Sequence, residues 1–283
     1  MKRKIHGLFG LKHNPFLPDV PTEALYPSPR LRSFCDRVEG MAARGGYALV
    51  TGEPGSGKSA ALRVVSETLA AIPDVMVGLL SRPQSSVYDF YRELGELFGV
   101  QITPTNRFGG SKSLRNRWLD HVERTGIRAV LVVDEAQEMR TEVLSEIRLL
   151  SSYLLDSQQL LLVILAGDAR LLERFRTTAL LPLGSRIRVQ LSLDAMEPEE
   201  LRPLLEHLMR QAGNPNLMTS KLVDALCEHA RGNLRALMHM GAELLEAGVR
   251  QEAEQLDEKL FFEVYGDLEG ARPKRQRVPR RSG

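Results

Sequence analysis

The stretch that decides the fold is Gly52–Ser59, GEPGSGKS. A short apolar run, Tyr47-Ala48-Leu49-Val50, leads into it, and a helix-like run opens behind it at Ala60. The stretch fits the spacing G-x-x-x-x-G-K-[ST] at each fixed position: Gly52, Gly57, Lys58 and Ser59. Glycines let backbone N–H groups turn inward on phosphate oxygens, and the N-terminus of the next helix attracts negative charge. Gly52, Glu53, Pro54, Gly55, Ser56, Gly57, Lys58, Ser59 and Ala60 therefore form the candidate nucleotide-binding set. Lys58 is expected to reach the β/γ-phosphates of ATP, and Ser59 to ligate Mg²⁺.

A second element lies downstream, Val130-Leu131-Val132-Val133-Asp134-Glu135. An acid at the tip of a buried strand, Asp134, is suited to hold Mg²⁺ together with Ser59. The acid beside it, Glu135, is suited to polarise a water for attack on the γ-phosphate.

Outward from these motifs, strand-like and helix-like runs alternate. Strands are expected at 47–51, 75–80, 129–133, 160–166 and 187–191, and helices at 58–70, 87–98, 112–124 and 142–155. Residues 102–110, ITPTNRFGG, read as a loop from their Pro, Asn and Gly content. Apolar strands alternating with amphipathic helices imply an α/β fold, a parallel sheet covered on both faces. After residue 196 the strands stop, and four helices are expected at 198–212, 219–231, 233–247 and 254–265. The expected division is an N-terminal segment 1–40 packing near the nucleotide, an αβα core 41–195, a small all-helical lid 196–265 and a basic tail 266–283.

Composition narrows the class further. No apolar run spans a bilayer or a signal peptide, so a cytoplasmic protein without a membrane partner is expected. Cys35 and Cys227 make neither a disulfide framework nor a metal spacing, and read as reduced structural thiols. The net charge of +2 is unevenly spread. Six basic residues and no acid fall within 272–283, RPKRQRVPRRSG, leaving 32 basic against 36 acidic residues elsewhere. Lys274, Arg275 and Arg277 in that tail are candidate contacts to DNA, with docking on a protein partner as an alternative.

GEPGSGKS followed by LVVDEAQEM (131–139) resembles the AAA+ branch of P-loop ATPases. FGLKHNPF (9–16), YPSPR (26–30) and YALVTGEPGSGKS (47–59) together resemble the ExeA-like family within it. SRPQSSVYDFYRELGELFGV (81–100) and NRFGGSKSLRNRW (106–118) look most like its transposon-associated members, similar in layout to the transposition regulators MuB and TnsC. The resemblance covers about residues 7–250, and its motifs are specific for ATP binding rather than for a biological task. It implies a Mg²⁺-dependent ATPase in which Lys58 and Glu135 act in hydrolysis.

The resemblance also implies further parts. Asp168, after the fourth strand in LLLVILAGD, takes the place of a γ-phosphate sensor, where Asn, Gln or Thr is more usual; capping the next helix is the alternative. Arg186 in LPLGSRIRVQL takes the place of an arginine finger aimed at a neighbouring subunit's nucleotide, ahead of Arg188. Arg235 in GNLRAL (232–237) takes the place of a lid sensor. The adenine would lie between the lid and the segment containing Phe16 and Tyr26.

Partners follow from charge and from the resemblance. Arg107, Lys112, Arg115 and Arg117 lie in a segment, 103–118, without an acid, and are candidate DNA-phosphate contacts; a solvated helix face is the alternative. Trp118, at helical spacing from Leu114, reads as core. No sequence-reading module is found, so any DNA contact is expected to be mostly to backbone. The leading reading is an ATPase that self-associates into a ring or filament on DNA and recruits or regulates a transposase. The alternatives are an ExeA-like secretion or envelope-assembly ATPase, and a nucleotide-gated protein-binding switch with little hydrolysis. The envelope-assembly member of that family carries a transmembrane segment and a cell-wall-binding region after the ATPase, and neither is read here.

Overall fold

A computed structural model describes residues 2–80, 82–102 and 106–270. Helix α1 (Lys2–Phe9) is followed by α2 (Pro29–Glu39) and then by alternating elements: β1 (Gly46–Gly52), α3 (Lys58–Ala70), β2 (Val77–Leu80), α4 (Val87–Phe98), α5 (Arg107–Thr125) and β3 (Ala129–Val133). There follow α6 (Thr141–Ser151), β4 (Ser152–Tyr153), β5 (Gln158–Gln159), β6 (Leu161–Gly167), α7 (Ala169–Phe175), α8 (Leu181–Gly184) and β7 (Ile187–Leu193). Four helices close the described chain: α9 (Pro198–Ala212), α10 (Ser220–Ala230), α11 (Leu234–Gln251) and α12 (Glu258–Gly270). The chain forms two compact units. One is Pro21–Ala195; the other joins the residues up to Val20 with those from Met196 onward.

In the first unit the five long strands form one parallel sheet in the order β2-β3-β6-β1-β7. Alternate residues of each strand enter opposite layers, as the two-residue period of a strand requires. Leu49, Leu131, Val133, Val163 and Leu165 face the layer built from α4 to α8. Ala48, Val50, Val130, Val132, Leu162 and Ile164 face α2 and α3. Burial on both faces is why these strands carry uninterrupted apolar runs, each buried side chain contributing about 1.5–3 kcal/mol. Val133, Leu165 and Leu49 stand in one row, so β3, β6 and β1 end side by side.

Several expectations change. Residues 107–110 are not loop: Asn106 caps α5 by accepting from the Gly109 N–H at 2.8 Å, and the helix starts there despite its glycines. Helix α6 stops at Ser151 rather than Leu155. Its apolar periodicity runs on, but no core meets it, and residues 152–159 turn into a two-stranded hairpin instead. Leu154, Leu155 and Asp156 at its tip have φ of 47°, 55° and 69°.

The N-terminal segment is also divided. Helix α2 packs on α3 and β7, within the sheet unit. The earlier residues belong with the last four helices: the Lys12 N–H donates to the Ala212 carbonyl at 2.7 Å, and Asn214 donates to the Phe9 carbonyl at 2.9 Å. The Phe16 ring lies so close over Gly241 that a Cβ there would stand 2.5 Å from it. Phe16 is thus spent on packing the helical unit, whereas Tyr26 belongs to the sheet unit. Trp118 is core, edge-on to Phe98 with ring centroids 5.3 Å apart. Cys35 and Cys227 are buried and free, and burial pushes the Cys227 thiol up to about 11. Residues 271–283, and with them Lys274, Arg275 and Arg277, lie outside the described residues.

Candidate functional site

The loop after β1 leads into α3 through Gly57, whose φ of 94° only glycine adopts without strain. Helix α3 therefore begins without a side-chain cap, and its first N–H groups are free to meet a ligand. A Cβ on Gly52 would stand 2.4 Å from Ser56 Oγ and 2.6 Å from the Leu193 carbonyl oxygen, so the loop closes only on glycine there. Lys58 is buried, and its Nζ donates to the carbonyls of Gly52 (3.0 Å) and Glu53 (3.2 Å). Ser56 Oγ is buried and has no hydrogen-bond partner among the described residues. A buried ammonium, an unpartnered hydroxyl and an uncapped helix start make a chemically suitable cradle for a polyphosphate.

The neighbouring strand ends complete the site. Ser59 Oγ donates to Asp134 Oδ2 at 2.6 Å, which brings together the two side chains assigned to Mg²⁺. Magnesium keeps several waters and uses one or two protein oxygens beside substrate phosphates, so this pair fits it. Glu135, next along, has a left-handed backbone, φ 50°, which a non-glycine residue adopts only when its surroundings impose it.

The side chain of Glu135 is held by Gln137, which sequence reading passed over. Its side-chain amide donates to Glu135 Oε2, while its Oε1 accepts from the Asp168 N–H at 3.4 Å. A Cβ on Gly167 would stand 2.7 Å from that Oε1, so glycine there leaves the amide its room. The only signal in the sequence was a polar residue two places after Glu135. Gln137→Ala is expected to lower ATP hydrolysis roughly 10- to 100-fold by loosening Glu135, with ATP affinity unchanged. Steady-state kinetics beside a nucleotide-binding titration separate the two.

Asp168 caps α7, accepting from the Arg170 N–H at 2.9 Å and pairing with the Arg170 guanidinium at 2.8 Å. That guanidinium holds the Asp168 carboxyl below the ordinary carboxylate range. The geometry of the cap alternative is therefore present. Arg235 lies in the first turn of α11, behind the Asn233 cap.

Arg186 precedes β7, whose first residue Ile187 is level with Tyr47 near the start of β1. The phosphate loop follows the far end of β1, about 17–20 Å away along the strand. Arg186 is therefore at the opposite end of the sheet from its own nucleotide loop. There it lines a cleft of about 690 Å³ with Arg37, Arg44, Arg188, Asp36 and Asp156.

The basic helix segment is largely tied down. Arg107 pairs with Glu146, a buried carboxylate that also accepts from Tyr91 Oη at 2.7 Å. Burial, then this bond, pushes the Tyr91 hydroxyl up to about 12. Arg115 donates to the carbonyls of Leu149 (3.1 Å) and Ser152, and Arg117 to that of Phe98 (3.3 Å), closing the C-termini of α6 and α4. Lys112 is exposed. Arg107→Ala is expected to cost about 1–3 kcal/mol of stability in urea unfolding, by leaving Glu146 short of a partner. A phosphate-contacting role would instead reduce the salt dependence of DNA binding by about one unit of log–log slope.

The parallel sheet of order β2-β3-β6-β1-β7, with a glycine-rich loop between β1 and α3 and acids at the tip of β3, is an α/β fold of the P-loop kind. Residues 42–175 match the family model of an AAA domain (AAA_22). General secretion pathway protein A of Aeromonas hydrophila is 28% identical over 209 residues, covering 72% of this chain. The chain spans only 37% of that relative's length. Solved structures share the fold: ORC2 of Aeropyrum pernix (TM-score 0.67, 17% identity, 92% of this chain and 72% of that one) and ORC1 of the same organism in complex with DNA (0.64, 20%, 90% and 69%). The Holliday junction branch migration motor RuvB of Thermotoga maritima is similar at 0.58, with 13% identity over 90% of this chain and 73% of that one. Among the described residues, no helix is long and apolar enough to cross a membrane.

Proposed function

We propose that the protein is a Mg²⁺-dependent ATPase that works as an assembly switch. The observation that carries this is the convergence of Lys58, Ser59, Asp134 and Glu135 at one end of the sheet, with Ser59 2.6 Å from Asp134. The cradle binds the triphosphate, and Lys58 draws its β/γ oxygens. Magnesium, held by Ser59 and Asp134, would neutralise phosphate charge. Glu135, oriented by Gln137, takes a proton from the attacking water. Arg186, too far from its own loop, serves the site of a second subunit. Subunits joined in this head-to-tail manner form a ring or filament.

The same reading places the assembly on DNA, where it recruits or regulates a transposase. Support comes from the resemblance of 81–100 and 106–118 to transposon-associated ATPases, from the basic residues of 272–283, and from the fold shared with an ORC1 protein solved in complex with DNA. A second reading, an envelope or secretion ATPase, is favoured by the similarity to General secretion pathway protein A. Binding of a fluorescent random-sequence duplex, with ATP, ADP or neither and at two salt concentrations, decides between them. ATP-dependent, salt-sensitive binding that Lys58→Ala loses is expected. Absence of binding in each nucleotide state removes the DNA reading and leaves the second.

A further inference from the structure

The Ser152–Gln159 hairpin offers what the site at the other end of the sheet does not use. Asp156 Oδ1 accepts from Ser152 Oγ at 2.8 Å and from Gln159 Nε2 at 3.2 Å, so the two arms of the hairpin aim its carboxylate. The free oxygen, Oδ2, pairs with the Arg186 guanidinium, whose other terminal nitrogen donates to the Pro182 carbonyl. The Arg186 side chain is only 23% exposed in this arrangement. A guanidinium so engaged has to release the carboxylate before it can fork onto a phosphate.

Beside it, Leu155 is fully exposed and Leu154 is 56% exposed, both on left-handed backbone that disfavours non-glycine residues. Charge selects what covers them. The cleft at this end is lined by four arginines and two aspartates. The nucleotide end of the sheet presents Glu53, Asp134 and Glu135, with Asp168 paired to Arg170, and a triphosphate would add further negative charge there. The two ends of one subunit are complementary, which suits a second copy of this chain stacked head to tail.

We propose that the hairpin is a latch: Asp156 holds Arg186 against its own subunit until the nucleotide end of a second copy covers Leu154 and Leu155 and takes the guanidinium. This rests on the reading of Arg186 as acting on a neighbour's nucleotide. The latch keeps a lone subunit from presenting a free guanidinium and couples its release to assembly.

The test follows Mg-ATP hydrolysis per subunit against protein concentration, with sedimentation in ATP, for wild type, Asp156→Asn, Leu155→Ser and Arg186→Ala. Asp156→Asn is expected to reach half-maximal specific activity at about three- to fivefold lower concentration, the range of an exposed ion pair. Its affinity for a fluorescent ATP analogue should match wild type. Leu155→Ser should shift the curve to higher concentration, and Arg186→Ala should be inactive throughout. If Arg186→Ala is inactive while Asp156→Asn follows the wild-type curve or needs more protein, the latch is wrong and the reading of Arg186 stands. If Arg186→Ala hydrolyses at the wild-type rate, that reading fails and the latch goes with it. Should Asp156→Asn fail to fold, Ser152→Ala loosens the same carboxylate and carries the same expectation with a smaller shift; a wild-type curve for it overturns the latch.

Discussion

Glu135→Gln is expected to bind Mg-ATP as tightly as wild type and to hydrolyse it about 10²–10⁴-fold more slowly. The substitution keeps the size of the side chain and its hydrogen bond to Gln137, but removes the base. Glu135 shares no hydrogen bond with Ser59, which donates to Asp134, or with Lys58, which donates to the Gly52 carbonyl. Binding and hydrolysis therefore separate at this residue. The variant should also trap whatever assembly ATP supports, since the step that dissolves it is blocked. Equal loss of binding and hydrolysis would mean that Glu135 holds the loop together rather than serving the water.

Lys58→Ala is expected to do the opposite, losing affinity for ATP and, with it, at least about 100-fold in hydrolysis. The ammonium is the one cationic side chain within the loop itself, and it is buried, so its charge acts with little solvent screening. The loop should keep its path, because Gly52, Gly55 and Gly57 set it through backbone geometry. Urea unfolding near the wild-type midpoint beside lost nucleotide binding distinguishes this outcome from misfolding. Arg in place of Lys58 should not rescue: a planar guanidinium fork does not reproduce the compact ammonium that donates to the Gly52 and Glu53 carbonyls.

These residues stand out in the sequence because the expected cradle is local. The phosphate loop needs its glycines, Lys58 and Ser59 within eight consecutive residues, and Asp134 and Glu135 announce themselves as acids at the end of an apolar strand. The parallel sheet followed from strands apolar on both faces. What could not be read was whatever depends on strand order. Gln137 matters because β6 lies beside β3, which carries Gly167 and the Asp168 N–H to its amide. The end of α6 was hidden because Leu154 and Leu155 continue its apolar period, and only the absence of a facing layer reveals the turn. The N-terminal segment was misdivided because Phe9 and Phe16 find their partners more than 200 residues later. The intramolecular partners of the basic residues along 107–117 were hidden for a related reason. Composition shows arginines but not the Glu146 carboxylate and helix-end carbonyls that occupy them.

In the proposed assembly, one subunit's Arg186 completes the ATPase site of the next. Mixing two inactive variants tests it most directly. Arg186→Ala keeps an intact nucleotide site, and Glu135→Gln keeps an intact arginine. Each alone is expected to hydrolyse almost no ATP. An equimolar mixture should recover activity at the junctions where the two meet in the productive order, about a quarter of them in a head-to-tail assembly. A mixture no more active than its two components would mean that Arg186 does not act on a neighbour's nucleotide.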